Sequence, residues 1–200
     1  MSKKILEIKN KIKNCIIIHG CPDNEEKAMN PKTRTYDKHW LPWIKNELEK
    51  VEFRVDFPLM PHPWNPSYKD HKKEFEKLDI NESSILIGTS CGTTFLLRWL
   101  GETRRKVKAF IMVAPWYNPK YDNKGRDFYD FKIDKSVKDR VKNIIMFIAD
   151  NEGETGKRSA KIFAEKLDPK VISISGYGHY IESHMKTDKF PELLKEVIDI

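Results

Sequence analysis

Residues 84–100 read Ser84-Ile85-Leu86-Ile87-Gly88-Thr89-Ser90-Cys91-Gly92-Thr93-Thr94-Phe95-Leu96-Leu97-Arg98-Trp99-Leu100. The opening apolar run, rich in isoleucine, has the length and character of a strand buried on both faces. The closing run spaces its apolar residues as a helix does. Between them stands G-x-S-x-G, a weak pattern alone because glycine and serine are common. Its weight comes from its setting, a turn between strand and helix that presents a serine at the sheet edge. The flanking glycines suit a turn too sharp for side chains beside it. Ser90 then heads a helix, where free N–H groups and the helix dipole favour developing negative charge.

Outward from this stretch the chain keeps alternating. Cys15-Ile16-Ile17-Ile18 reads as a first strand ending at His19-Gly20. Further strands are expected over 51–57, 84–88, 109–114, 144–148 and 171–175. Helical patterns fall at 67–78, 93–100, 158–167 and 190–200, with a short one near 134–140. Another helix, carrying Trp40, Leu41, Ile44 and Leu48 on one face, has Asp37 as its candidate cap. The stretch from Pro58 to Pro66 holds four prolines and excludes regular structure. The pattern predicts one α/β domain over residues 1–200, a compact three-layer α/β/α sandwich on a mostly parallel, doubly wound sheet without a large lid. Ligands of such sheets lie beyond the carboxyl ends of the strands.

Composition narrows the class. At 200 residues, with 39% apolar and 34% charged residues, the chain suits one soluble globular domain. No apolar run approaches a membrane span, and charge interrupts residues 1–9 before a secretory core can form. A cytoplasmic address is expected. The net charge of +7 raises the question of nucleic acid, but the basic residues are interleaved with 30 acids and no recognition motif accompanies them. A lysine-rich solvated surface is the reading, with no nucleic-acid or membrane partner and a monomer or weak homodimer. Three cysteines, Cys15, Cys21 and Cys91, form neither a disulfide framework nor a zinc pattern. They are expected as thiols in a reducing compartment. No metal or organic cofactor is implied.

A serine hydroxyl needs a base to attack at neutral pH. Of six histidines, His179 stands in Gly176-Tyr177-Gly178-His179-Tyr180, directly after the last expected strand. His184 is the fallback. His39 and His71 are expected on helix surfaces, and His62 in the proline-rich loop could line a pocket. An acid must orient the imidazole. Ala149-Asp150-Asn151-Glu152 ends a strand, and either Asp150 or Glu152 could serve. The order serine, acid, histidine is that of α/β-hydrolases. Two backbone donors for the oxyanion are expected from Cys91, after the serine, and Cys21, in the loop after the first strand. The Cys91 side chain, on the helix, is expected to be a buried thiol rather than a nucleophile.

These residues resemble the small serine hydrolases named after retinoblastoma-binding protein 9. The similarity takes in His19-Gly20, the Trp40–Leu48 stretch, Met60-Pro61, Ile85 to Gly92, Val113-Ala114-Pro115, Ala149 to Glu152 and Gly178-His179-Tyr180. The resemblance implies a Rossmann-like sandwich and a triad of Ser90, an acid and His179. A gapless match places the acid on Glu152, where the family usually carries aspartate. Thr89 replaces a histidine often seen there, and the stretch from Cys21 to Tyr36 is longer and more charged than expected. The Leu-x-Cys-x-Glu motif for binding retinoblastoma protein is absent, so that partner is not carried over.

The stretch from Trp116 through Tyr117, Tyr121, Phe128, Tyr129 and Phe131 is unusually aromatic. With Trp64 and His19 it could wall an apolar acyl pocket above Ser90, or simply cover the sheet end. The expected activity is hydrolysis of a small carboxylic ester or amide through an acyl-enzyme. The alternatives are a non-catalytic binding or regulatory protein on the same scaffold, or an acyltransferase.

Overall fold

The computed structural model describes residues 13–118 and 126–200. Residues 1–9, which carry the reading about a leader, and Tyr121 lie outside the described residues. Six strands form the sheet: β1 (Asn14–Ile18), β2 (Arg54–Asp56), β3 (Ser84–Thr89), β4 (Val107–Val113), β5 (Val141–Ile148) and β6 (Lys170–Ser173). Their spatial order is β2-β1-β3-β4-β5-β6, and every neighbouring pair is parallel.

The side chains alternate as a pleated strand requires. Ile16, Ile18, Leu86, Phe110 and Met112 face one layer, while Cys15, Ile17, Ile85, Ile87 and Ile111 face the other. Among the described residues the helices are α1 (Glu25–Met29), α2 (Leu41–Lys50), α3 (Tyr68–Phe75), α4 (Cys91–Thr103), α5 (Arg126–Tyr129), α6 (Glu154–Leu167), α7 (Glu182–Met185) and α8 (Pro191–Ile198). Phe75 of α3, Phe95 of α4 and Phe163 of α6 cover the first face. Ile44 and Leu48 of α2 cover the second with Leu193 and Val197 of α8. The result is the three-layer α/β/α sandwich. Among the described residues no helix is long and apolar enough to cross a membrane.

Local chemistry moves several boundaries. β2 starts at Arg54, because Val51 closes α2 and Glu52 turns the chain at φ 65°. α4 starts at Cys91, about half a turn earlier than the apolar spacing alone suggests, and α6 at Glu154, about a full turn earlier. The segment Lys135–Asp139 is a 3-10 turn capped by Asp134. Asp37 caps nothing: its carboxylate pairs with Arg34, and Trp40 occupies the cap position of α2 without a side-chain bond.

The topology decides where chemistry can happen. The chain leaves β1 to one side for β2 and returns on the other side for β3, so the strand order reverses between β1 and β3. Above that reversal the loop after β1 meets the turn after β3. Ser90 sits in this turn at φ 52°, ψ −126°, a conformation costing roughly 1–3 kcal/mol. Its N–H donates to the Val113 carbonyl at 3.0 Å, and its carbonyl accepts from Thr93 and Trp116. A Cβ on Gly92 would lie 2.7 Å from the His19 carbonyl oxygen and press on that of Ile18. Gly92→Ala is therefore expected to lower stability by about 1–3 kcal/mol, read as a reduced urea midpoint at unchanged slope. An unaltered midpoint would contradict this account of the elbow.

Candidate active site

Ser90 Oγ lies 3.0 Å from His179 Nε2, and His179 Nδ1 lies 2.7 Å from Glu152 Oε2. Three loops at the carboxyl edge of the sheet supply these groups. With Nδ1–H donating to the carboxylate, Nε2 is left to accept from the serine hydroxyl. Glu152 is largely buried, with 11% of its side chain exposed. Burial pushes its pKa up, but the hydrogen bond and charge of His179 and the Gly153 N–H outweigh that and hold it below the usual carboxylate range.

Glu152 reaches His179 by lying across the start of α6. A Cβ at Gly156 would stand 2.6 Å from its Cγ and 2.7 Å from its Cδ. Gly156 thus makes room for the longer acid, one helical turn away. Sequence reading passed over it, and the available signal was a glycine four residues beyond a candidate acid.

Asp150, the other candidate acid, is elsewhere. Its carboxylate accepts from Ser175 Oγ at 2.7 Å and Gly176 N–H at 2.9 Å, and these bonds, the Gly176 one foremost, lower its pKa. It anchors the loop that carries the histidine. Asn151 Oδ1 accepts from Gly178 N–H, and His184 Nδ1 accepts from the His179 N–H. Tyr180, buried, donates its hydroxyl to the Ile148 carbonyl at 2.6 Å, while its own carbonyl accepts from Trp40 Nε1. His184, the fallback base, supports the loop from an exposed position.

The loop after β1 carries His19, Gly20 and Cys21. His19 Nε2 accepts from the Met60 N–H at 3.0 Å, so Nδ1–H donates to the Gly20 carbonyl at 2.7 Å. Burial pushes this imidazole down to about 4, in keeping with a neutral ring. It ties the proline-rich loop to the loop before Cys21. Cys91 is the first residue of α4, where a helix leaves its N–H free. Among the described residues, neither the Cys91 nor the Cys21 N–H has an acceptor.

The cysteines correct the sequence reading. Cys21 and Cys91 form a disulfide, with Cα atoms 5.9 Å apart. Only Cys15 is a free thiol; it is buried, and burial pushes its pKa up. An odd count at irregular spacing hides the pair, because the pairing of β1 with β3 joins positions 70 residues apart. Closing a loop of that length is worth about 4 kcal/mol in the chain-entropy account.

Two clefts meet at Ser90 and His179. The larger, about 580 Å³, runs between His19, Cys21 and the segment containing α1 and Tyr36. The unexpectedly long, charged stretch from Cys21 to Tyr36 is therefore a cleft wall. The smaller, about 270 Å³, is walled by Trp64, Pro66, Trp116, Tyr129 and the disulfide. Trp116 also meets His179 edge-on at 5.9 Å. Trp64 and Trp116 thus line the smaller cleft and His19 the larger, while Tyr117 lines neither. It is buried against Phe131 and Phe163, and its N–H donates to Ser159 Oγ. Phe128 likewise belongs to the core, against Phe95 and His71. His71 is buried rather than on the surface, and burial pushes it down to about 3. His39 is half-buried in a turn at φ 60°, not on a helix. His62 is exposed and packs edge-on against Trp64.

Residues 32–197 match the family described as serine hydrolase, and the chain belongs to that family. Among curated proteins none matches it. Solved structures share the fold at low identity. The ydeN gene product of B. subtilis is 19% identical at TM-score 0.76, covering 94% of this chain and 100% of its own. Est1E from Butyrivibrio proteoclasticus is 16% identical at TM-score 0.58, with 94% of this chain and 86% of its own covered. A monoacylglycerol lipase of Paleococcus ferrophilus is 13% identical at TM-score 0.60, with 93% and 94% covered.

The site geometry is open to a test independent of turnover. A downfield proton resonance from His179 Nδ1–H is expected in wild type and in Asp150→Asn, and is expected to vanish in Glu152→Gln. Its loss in Asp150→Asn with retention in Glu152→Gln would reverse the assignment of the acid.

Proposed function

We propose that the chain hydrolyses small carboxylic esters or amides through an acyl-enzyme, with Ser90 as nucleophile, His179 as base and Glu152 as orienting acid. The observation that carries this reading is the unbroken line from Ser90 Oγ through the imidazole to the Glu152 carboxylate, 3.0 Å and 2.7 Å. The serine oxygen attacks the carbonyl carbon while its proton passes to His179 Nε2. Charge developing on the carbonyl oxygen is met by the Cys21 and Cys91 N–H groups. The intermediate collapses, and the leaving group takes the proton from His179. Water, activated by the same imidazole, then releases the acid.

The two clefts give this reaction its two sides. A short apolar acyl group suits the space between Trp64 and Trp116, and the leaving group the larger cleft. Ester substrates are favoured over peptides: one structural neighbour is a monoacylglycerol lipase, and Est1E has been solved with ferulic acid bound. Within the family, kinship with the retinoblastoma-binding-protein-9-like branch fits the shared His19-Gly20, Trp40–Leu48 and Gly178-His179-Tyr180 stretches.

The test is turnover of p-nitrophenyl acetate and butyrate. Wild type is expected to hydrolyse both, Ser90→Ala and His179→Ala to lose essentially all turnover, and Glu152→Gln to lose about a thousandfold or more in kcat. Asp150→Asn, which only loosens the loop, is expected to lose far less. A folded wild type that turns over neither ester nor amide substrates would sink the hydrolase reading in favour of a binding protein. Product capture by added alcohols in preference to water would make it an acyltransferase.

A further inference from the structure

We propose that the Cys21–Cys91 disulfide is a redox-controlled clasp on the oxyanion site, so that reducing it slows the chemical step while leaving substrate binding almost intact. The inference rests on the hydrolase reading above and deepens it. The two residues joined by the disulfide are the two proposed above as oxyanion donors, one in the loop after β1 and one in the first turn of α4.

Their backbones are not held alike. The Cys91 N–H is fixed by α4 and by Ser90, whose N–H bonds to Val113. The Cys21 N–H belongs to a loop. Upstream, the His19 ring steadies that loop through Gly20 and Met60. Downstream, the next regular element is α1, capped by the Asn24 side chain. At Cys21 itself, the bond across the gap to the elbow is the covalent one, with Cα atoms 5.9 Å apart. An oxyanion donor acts only when it is already in place as charge develops, so a donor free to drift costs rate rather than ground-state affinity.

The clasp is within reach of a reductant. Cys91 is buried and Cys21 only partly so, and both line the smaller cleft beside Ser90 and Trp116. A dithiol enters as thiolate, attacks one sulfur to form a mixed disulfide, and its second thiol then displaces that sulfur. The protein gains two thiols, and the reductant leaves as its own disulfide, two electrons having passed to the protein. Glutathione disulfide reverses the change. The clasp would open and close with the thiol poise of its surroundings.

The experiment uses a Cys15→Ala background, so that only one pair can react. Turnover of p-nitrophenyl butyrate is compared for the oxidised protein, the dithiothreitol-treated protein and the glutathione-disulfide-reoxidised protein. Intact mass confirms each state, and circular dichroism confirms a native fold at the assay temperature. Reduction is expected to lower kcat roughly ten- to a hundredfold with KM changed less than about threefold, and reoxidation to restore it. Cys21→Ala and Cys91→Ala, which keep both N–H groups, are each expected to match the reduced form and to ignore dithiothreitol. Equal kcat in oxidised and reduced protein would overturn the clasp while leaving the hydrolase reading intact. A rise in KM equal to the loss in kcat/KM would reduce the disulfide to a pocket wall and overturn it too. Absence of turnover in every state, with Ser90 unreactive, would overturn both.

Discussion

Everything at the site hangs on the parallel pairing of β1 with β3, whose register sets Ile18 beside Gly88. That pairing brings the loop after one strand and the turn after the other to the same edge, where the strand order reverses. Gly92 and Gly20 can approach only because they lack side chains: a Cβ on Gly20 would stand 3.0 Å from Ser90 Cβ. Free N–H groups, the disulfide and the meeting of the two clefts all follow from this one contact. A shift by one residue would turn Ile16 and Ile18 to the wrong face and separate the two loops.

The second constraint acts from the far side of the serine. β5 and β6 deliver an acid and a histidine on separate loops, and the loops are locked to each other before any chemistry is considered. Asp150 and Asn151 hold the backbone at Gly176 and Gly178, and Tyr180 bonds back to Ile148. Glu152 is then free to address the imidazole, its other oxygen accepting from the Gly153 N–H. Two acids of similar chemistry have been given different tasks by two residues of spacing. The longer side chain at position 152 is matched by the missing one at Gly156.

Much of this was legible in the sequence because it is written in local patterns. Short apolar runs alternating with helical patterns pointed to all six strands, and strand–turn–helix around Gly88 to Gly92 pointed to the elbow. The order Ser90, Glu152 or Asp150, His179 gave the constellation. What stayed hidden depends on contacts between distant segments. The Cys21–Cys91 bond has no local signature, and neither has the burial of His71 between Phe95 and Phe128. Aromatic residues near a site read alike whether they line it, as Trp116 does, or fill the core beneath it, as Tyr117 and Phe128 do. Choosing between Asp150 and Glu152 from residue type alone was impossible, since reach and loop geometry decide it.

The central claim is that Ser90 is made nucleophilic by the line through His179 to Glu152. Peptide mass spectrometry after exposure to a fluorophosphonate tests it most directly. The account predicts a single covalent adduct on Ser90 in wild type, strongly reduced in His179→Ala and absent in Ser90→Ala. A folded wild-type protein with no adduct between pH 6 and 9, or an adduct on another residue with Ser90 unmodified, would contradict it.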